Sequence, residues 1–248
     1  MCTLVVATRQ WRDVPLVVAA NRDEALARPS VGPELRVEAG MSFVAPRDVE
    51  GGGTWLGINQ AGVLVAITNR HNGVRNEGAR SRGLLVLDAL AESSVAAAVK
   101  RIAAIDPLAH NPFHLVIAGR ERADLVWSDG RRHRHEAIEP GIFVVTERSF
   151  DAAPTERITL LQERVPTLST VEPPAPEAWM DLLRHHRADA PLEGVCVHAP
   201  ALGYGTRSST VLTLARDHRH SVFFHAEGPP CTSPYEDRSA MLRSLVTG

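Results

Sequence analysis

A cysteine directly follows the initiator methionine in MCTLVVATRQ, and the 248-residue chain holds only two others. Removal of Met1 would leave Cys2 with two reactive groups, a thiol and a free α-amine. Their ordinary pKa values, about 8.5 and about 7.7–8.0, lie close enough for the amine to take the thiol proton near neutrality, directly or through water. Cysteine is nucleophilic even when slightly ionised, so one residue then supplies nucleophile and base for acyl transfer. While Met1 stays, that nitrogen is a peptide amide and the base is missing.

Three further stretches carry side chains suited to the same chemistry. Asn21-Arg22-Asp23-Glu24 closes the apolar run Leu16–Ala20. On a strand, Asn21 and Asp23 would share one face and Arg22 and Glu24 the other. An arginine near Cys2 favours thiolate, and a carboxylate can hold an α-ammonium. GGGTWLGINQAGVLVAITNR, from Gly51 to Arg70, places a glycine-rich turn and Trp55 before a hairpin ending in Asn69. An asparagine at a strand end can offer N–H groups to a developing oxyanion. Late in the chain, Tyr204-Gly205-Thr206-Arg207-Ser208-Ser209-Thr210 surrounds Arg207 with hydroxyls, a setting for a carboxylate or acyl carbonyl. Singly, each stretch is also compatible with ordinary structure: an incidental cysteine, a solvated turn, a glycine hairpin, a surface arginine.

Bulk properties exclude several function classes. A net charge of −2 gives no electrostatic footprint for nucleic acid. No segment approaches the length of a membrane span, and the N-terminus lacks the basic flank and apolar run of a secretory signal. Three scattered cysteines argue against a disulfide framework and for a reducing cytoplasm. The lone lysine, Lys100, leaves little room for lysine chemistry. Neither His133-x-His135 nor His185-His186 has catalytic-zinc spacing, so no metal and no cofactor is expected. Cys196 reads as a buried strand residue and Cys231 as a loop thiol.

These groups need elements to hold them. Strands are predicted at 3–7, 16–20, 54–58 and 63–68, the last two joined by the glycine-bearing loop 59–62. Leu84, Leu87 and Leu90 mark a helix, and Ser93 can cap a second one carrying Val95, Val99 and Ile102. Further strands are predicted at 113–118, 124–128 and 141–145. Helices follow near 154–165, with Ile158, Leu161 and Val165 aligned, and near 177–187. The end returns to strands at 195–198, 209–215 and 222–226 before a C-terminal helix. Strands at both ends with helices grouped between them give an α+β layered architecture, in a single domain over residues 1–248.

Together the motifs resemble the NRDE family, related to the transport and Golgi organisation protein 2. MCT, ANRDE, GGTWLGIN, ITNR, SRG and YGTRSST occur in the family's order along nearly the whole chain. That family is similar to the cysteine N-terminal nucleophile hydrolases, which include penicillin V acylase and bile salt hydrolase. The resemblance implies a four-layer αββα sandwich of two mainly antiparallel sheets flanked by helices, and cleavage of a non-peptide C–N amide. It makes Cys2 the nucleophile and base, lets Asp23 or its neighbour Glu24 hold the amine, gives Asn69 as oxyanion donor, and matches Arg207 to a late arginine at the catalytic centre. Asn21, Arg22, Glu24, Trp55 and Glu147 are supporting or substrate-binding candidates. In the acylases an arginine stands three residues ahead of the aspartate, a spacing held here by Asn21 and Glu24. Val145-Thr146-Glu147 stands where the family carries Leu-Ser-Asn, and an ionised glutamate offers no donor to an oxyanion.

Two readings follow. One is an N-terminal cysteine amidohydrolase acting on a small acylated substrate through a thioester after loss of Met1. The other is a non-catalytic protein that binds or carries haem or an acyl lipid in the same pocket.

Overall fold

The computed structural model describes residues 2–71, 76–149 and 155–246. In chain order β1 (Cys2–Thr8), β2 (Leu16–Ala25), β3 (Ser30–Glu38), β4 (Met41–Asp48), β5 (Leu56–Asn59) and β6 (Leu64–Asn69) precede helices α1 (Gly83–Leu90) and α2 (Val95–Ala103). Next come β7 (Phe113–Ala118), β8 (Ala123–Ser128), β9 (His133–Ala137) and β10 (Gly141–Thr146), then α3 (Glu156–Arg164) and α4 (Pro176–Arg184). The chain finishes with β11 (His198–Ala199), β12 (Tyr204–Leu214), β13 (Val222–Glu227), β14 (Glu236–Asp237) and α5 (Ser239–Leu245).

β1 and β2 carry unbroken apolar runs because both of their faces are covered. Leu4, Val6, Leu16 and Val18 point into a core shared with the second sheet. Their alternates Val5, Ala7, Val17 and Ala19 pack against Leu161 of α3 and Trp179, Met180 and Leu183 of α4. The first sheet runs β10-β1-β2-β12-β13-β14, with β11 added against β12; the second runs β3-β4-β5-β6-β7-β8-β9. Every pairing between these strands is antiparallel. On the outer face of the second sheet, Leu85, Val86, Ala89 and Leu90 of α1 and Val95, Ala98, Val99 and Ile102 of α2 bury their apolar stripes on Val65, Leu115 and Ile117. The layer order is therefore helix, sheet, sheet, helix, as the resemblance implies. Leu242 and Leu245 of α5 close one end of the core between the sheets.

Several elements depart from the pattern reading. The β3–β4 hairpin has no apolar-in alternation: Leu35 and Val37 are exposed and Pro33 interrupts β3. β9 is a polar edge strand, HRHEA, with almost nothing buried. The expected strand at 195–198 shrinks to His198–Ala199, because Cys196 lies in a bend whose N–H donates to the His185 carbonyl at 2.8 Å. β12 begins at Tyr204 rather than at 209, since the polar YGTRSST segment pairs with the NRDE end of β2. The cap of α2 is Ser94, one residue later than expected, accepting from the Ala97 N–H at 3.2 Å. The expected start of the third helix at residue 154 lies outside the described residues. Among the described residues, no helix is long and apolar enough to cross a membrane.

Candidate active site

Strand register decides which side chains meet. Cys2 pairs across β1–β2 with Arg22, so thiol and guanidinium share the face turned toward the second sheet. Both open on a polar cavity of about 300 Å³ between the sheets, walled also by Asp23, Glu24, Asp48, Thr54, Trp55, Ile67 and Asn69. Asn69 arrives there as the last residue of β6. Among the described residues its side-chain amide has no hydrogen-bond partner. Thus Cys2, Arg22, Asp23, Glu24, Trp55 and Asn69 come together on one cavity, while Asn21, Glu147 and Arg207 are not among its lining residues.

The Cys2 sulfur lies 4.0 Å from the backbone carbonyl of Asp23, and the Asp23 carboxylate turns toward the helical layer. There Thr206 Oγ1 donates to Asp23 Oδ1 at 2.7 Å, and Arg157 Nη1 stands 3.4 Å from Oδ2. Tyr204 Oη donates to the Asp23 carbonyl at 2.9 Å. Burial pushes Asp23 up to about 6, against the pull of the Arg157 cation and the Thr206 hydrogen bond. Burial likewise raises the Cys2 thiol, the Asp23 charge adds to that, and Arg22 opposes it. A thiol so placed is protonated at neutral pH and reacts only with a base beside it. Among the described residues, no histidine and no lysine lines the cavity.

Arg22 is nearly fully buried. Its guanidinium stacks 4.2 Å from the Trp55 ring centroid, 3.9 Å from Glu24 and 3.7 Å from Asp48. Asp48 is shared with Arg28 at 2.9 Å. Among the described residues, Arg22 Nη1 has no hydrogen-bond partner. Trp55 reaches this position because the glycine run lets the chain press on α1: a Cβ on Gly53 would meet the Gly83 carbonyl carbon at 2.2 Å.

The remaining expected residues sit elsewhere. Asn21 donates from Nδ2 to the carbonyls of Leu183 and Val195, both at 2.9 Å, and so ties β2 to the segments around α4. Glu147 holds its carboxylate 3.7 Å from Arg157, with its backbone carbonyl accepting from His71 at 2.8 Å. Arg207 sits at a bulge of β12 between Thr206 and Ser208. There it joins His225, whose hydrogen bond is the larger influence, in holding Glu227 below the usual carboxylate range.

Arg157 is the residue that motif reading missed, whereas Tyr204 and Thr206 lay in a stretch read as hydroxyls around Arg207 and serve Asp23 instead. Arg157 had a signal: with Leu161 and Val165 it occupies every fourth position of one helical face, and all three are buried. An arginine on an apolar stripe requires an anion inside, and among the described residues Arg157 meets the carboxylates of Asp23 and Glu147. Away from the cavity, Cys196, His198 and Cys231 form the one cluster of potential metal ligands among the described residues.

The Transport and Golgi organisation 2 family model matches residues 1–226. The Transport and Golgi organization protein 2 homolog of Bos taurus is 28% identical over 234 residues, covering 82% of this chain and 83% of its own. Among solved structures, a mutant of the conjugated bile acid hydrolase from Clostridium perfringens superposes with a TM-score of 0.64 at 11% identity, over 97% of this chain and 93% of that one. The Caenorhabditis elegans ortholog of N-acylethanolamine-hydrolyzing acid amidase gives 0.59 at 14% identity, over 85% of this chain and 92% of that one. Identities this low carry the fold alone, that of the N-terminal nucleophile hydrolases. The family match runs from the first residue to Ala226 within β13, and the chain belongs to the Transport and Golgi organisation 2 family.

Proposed function

We propose that the protein is an N-terminal cysteine amidohydrolase that loses Met1 and cleaves a non-peptide C–N amide of a small acylated substrate. The observation that carries this reading is the placement of Cys2 at the head of β1, opening on a polar cavity that no histidine or lysine lines among the described residues. A raised thiol in such a wall needs a base, and the α-amine of Cys2 is one attached to the same residue.

The cycle balances its protons on that amine. The free amine takes the thiol proton, the sulfur attacks the acyl carbon, and the carbonyl electrons move onto oxygen. The side-chain amide of Asn69 donates to that oxygen, and the unpartnered Nη1 of Arg22 supplies the second donor. Collapse breaks the C–N bond as the ammonium returns its proton to the leaving nitrogen, leaving a thioester. Water, deprotonated by the same amine, then releases the acid and restores the thiol. The Asp23 carboxylate, held by Arg157 and Thr206, steadies the ammonium between these steps. Glu147 lies against Arg157 rather than in the cavity wall, so its lack of a donor does not bear on the oxyanion.

Carriage of haem or an acyl lipid in the same pocket is the competing reading. The charged lining favours a compact polar group near Cys2 over a large planar ring, because each buried charge would have to be matched. Release of free amine from a panel of short- and long-chain N-acyl amines tests the proposal. Turnover by wild type and none by Cys2→Ala is expected. Turnover unchanged in Cys2→Ala, or a haem absorbance shift lost in that variant without any amidase activity, would contradict it.

A further inference from the structure

The two cysteines left out of the cavity converge with a histidine on another part of the fold. Cys196 and His198 stand two residues apart where the chain leaves a bend and enters β11, and Cys231 comes from the loop between β13 and β14. Cys196 Sγ lies 3.5 Å from Cys231 Sγ and 3.4 Å from His198 Nε2; His198 Nε2 lies 2.8 Å from Cys231 Sγ. All three potential ligand atoms fall within 4.8 Å of one another. A tetrahedral zinc ion with bonds of about 2.3 Å to sulfur and about 2.0–2.1 Å to nitrogen sets its ligand atoms roughly 3.5–3.8 Å apart. Two of the three edges already have nearly that length, and the third opens by less than about 1 Å. A disulfide would require the sulfurs to close by about 1.5 Å and would give the imidazole between them no role.

We propose that Cys196, His198 and Cys231 form a zinc-binding site distinct from the Cys2 cavity. Two thiolates and one imidazole are the soft and borderline donors that zinc takes, with water completing the tetrahedron. On binding, each thiol loses its proton to solvent and forms a bond to the metal, so two protons leave and the charges of ion and ligands cancel. The position suits a structural clip. Residues 185–197 carry no helix or strand, and neither does the 228–235 loop, apart from their hydrogen-bonded turns. A metal joining them would fix both where little regular structure does. Val197, between two ligands, donates its N–H to Thr206 Oγ1 at 2.8 Å, the hydroxyl that in turn donates to Asp23. The clip therefore abuts the support of the cavity.

The test uses the reduced full-length protein titrated with zinc against a chromogenic chelator and, separately, with cobalt(II). One zinc per chain is expected, with tetrahedral d–d bands and a thiolate-to-cobalt charge-transfer band. Cys231→Ser and His198→Ala, both at half-buried positions, should weaken binding by about 100-fold or more. Cys2→Ala should leave the stoichiometry at one. Zinc should also raise the thermal midpoint of wild type and not of Cys231→Ser. Cys196 is fully buried, so its substitution is the less informative variant. Absence of thiolate–cobalt bands, zinc uptake unaffected by losing Cys231, or a Cys196–Cys231 disulfide that forms equally in the presence of zinc would overturn the proposal.

Discussion

At the scale of residues, the candidate site turns on one buried carboxylate with one buried cation. Arg157 and Asp23 are both almost inaccessible, and removing the cation leaves the buried carboxylate without its guanidinium partner. Arg157→Met should therefore cost about 3–5 kcal/mol in chemical denaturation. If Asp23 must be ionised to hold the α-ammonium, acylation of Cys2 should rise with pH through about 6. Removing the cation that favours the carboxylate should move that limb upward in Arg157→Met, and an unmoved limb would detach Asp23 from the reaction. The cysteine, the NRDE tetrapeptide and Asn69 were legible as chemistry in the sequence because their types and spacing are unusual. Arg157 was not read, though its place in line with Leu161 and Val165 was visible, because helical arginines are usually solvated. The roles inside NRDE became separable only with the register, which turns Arg22 and Glu24 to the cavity and Asn21 and Asp23 to the helices.

At the scale of elements, the polar ends of apolar strands do the fastening. Asn21 extends β2 into α4 by two hydrogen bonds to carbonyls that have lost water, and Asn21→Leu should destabilise by about 2–4 kcal/mol in urea melts. A loss below the error of the melt would mean those carbonyls find other partners. Gly53→Ala should cost roughly 1–3 kcal/mol and displace the Trp55 fluorescence environment, since the added methyl meets the backbone of Gly83. The apolar strands β1, β2, β6 and β7 and the amphipathic α2 were readable from periodicity alone. The β3–β4 hairpin and β9 were not, because β3 and β9 leave both faces largely open and so carry no apolar alternation. The segment around Cys196 misled for the opposite reason: Val195, Cys196 and Val197 are fully buried, yet the first two sit in a bend and the third outside any strand. Burial there comes from packing beneath neighbouring segments, which a short apolar run cannot distinguish from a strand.

At the scale of the whole molecule, two sheets packed between helical layers place the head of β1 at the mouth of a cavity, with the helical layer behind it supplying Arg157. The site's electrostatics should consequently appear in global stability. Asp23 has a folded pKa of about 6 against an ordinary 3.8, so its protonated form favours the folded state and its ionisation opposes it. That contribution is fully present below the ordinary value and is lost as pH rises through about 6, a span of up to about 3 kcal/mol. Relative to Asp23→Asn, wild type should lose that much between about pH 4 and about pH 7 in urea denaturation, and parallel curves would refute the raised pKa. The proposal as a whole rests on the head of the chain. Its most direct measurement is the intact mass of the native protein before and after a thiol-directed acylating probe, with the adduct mapped by peptide digestion. The expected result is a mass lacking Met1 and one acyl adduct on Cys2; a catalytically competent protein that retains Met1, or labelling confined to Cys196 and Cys231, would contradict it.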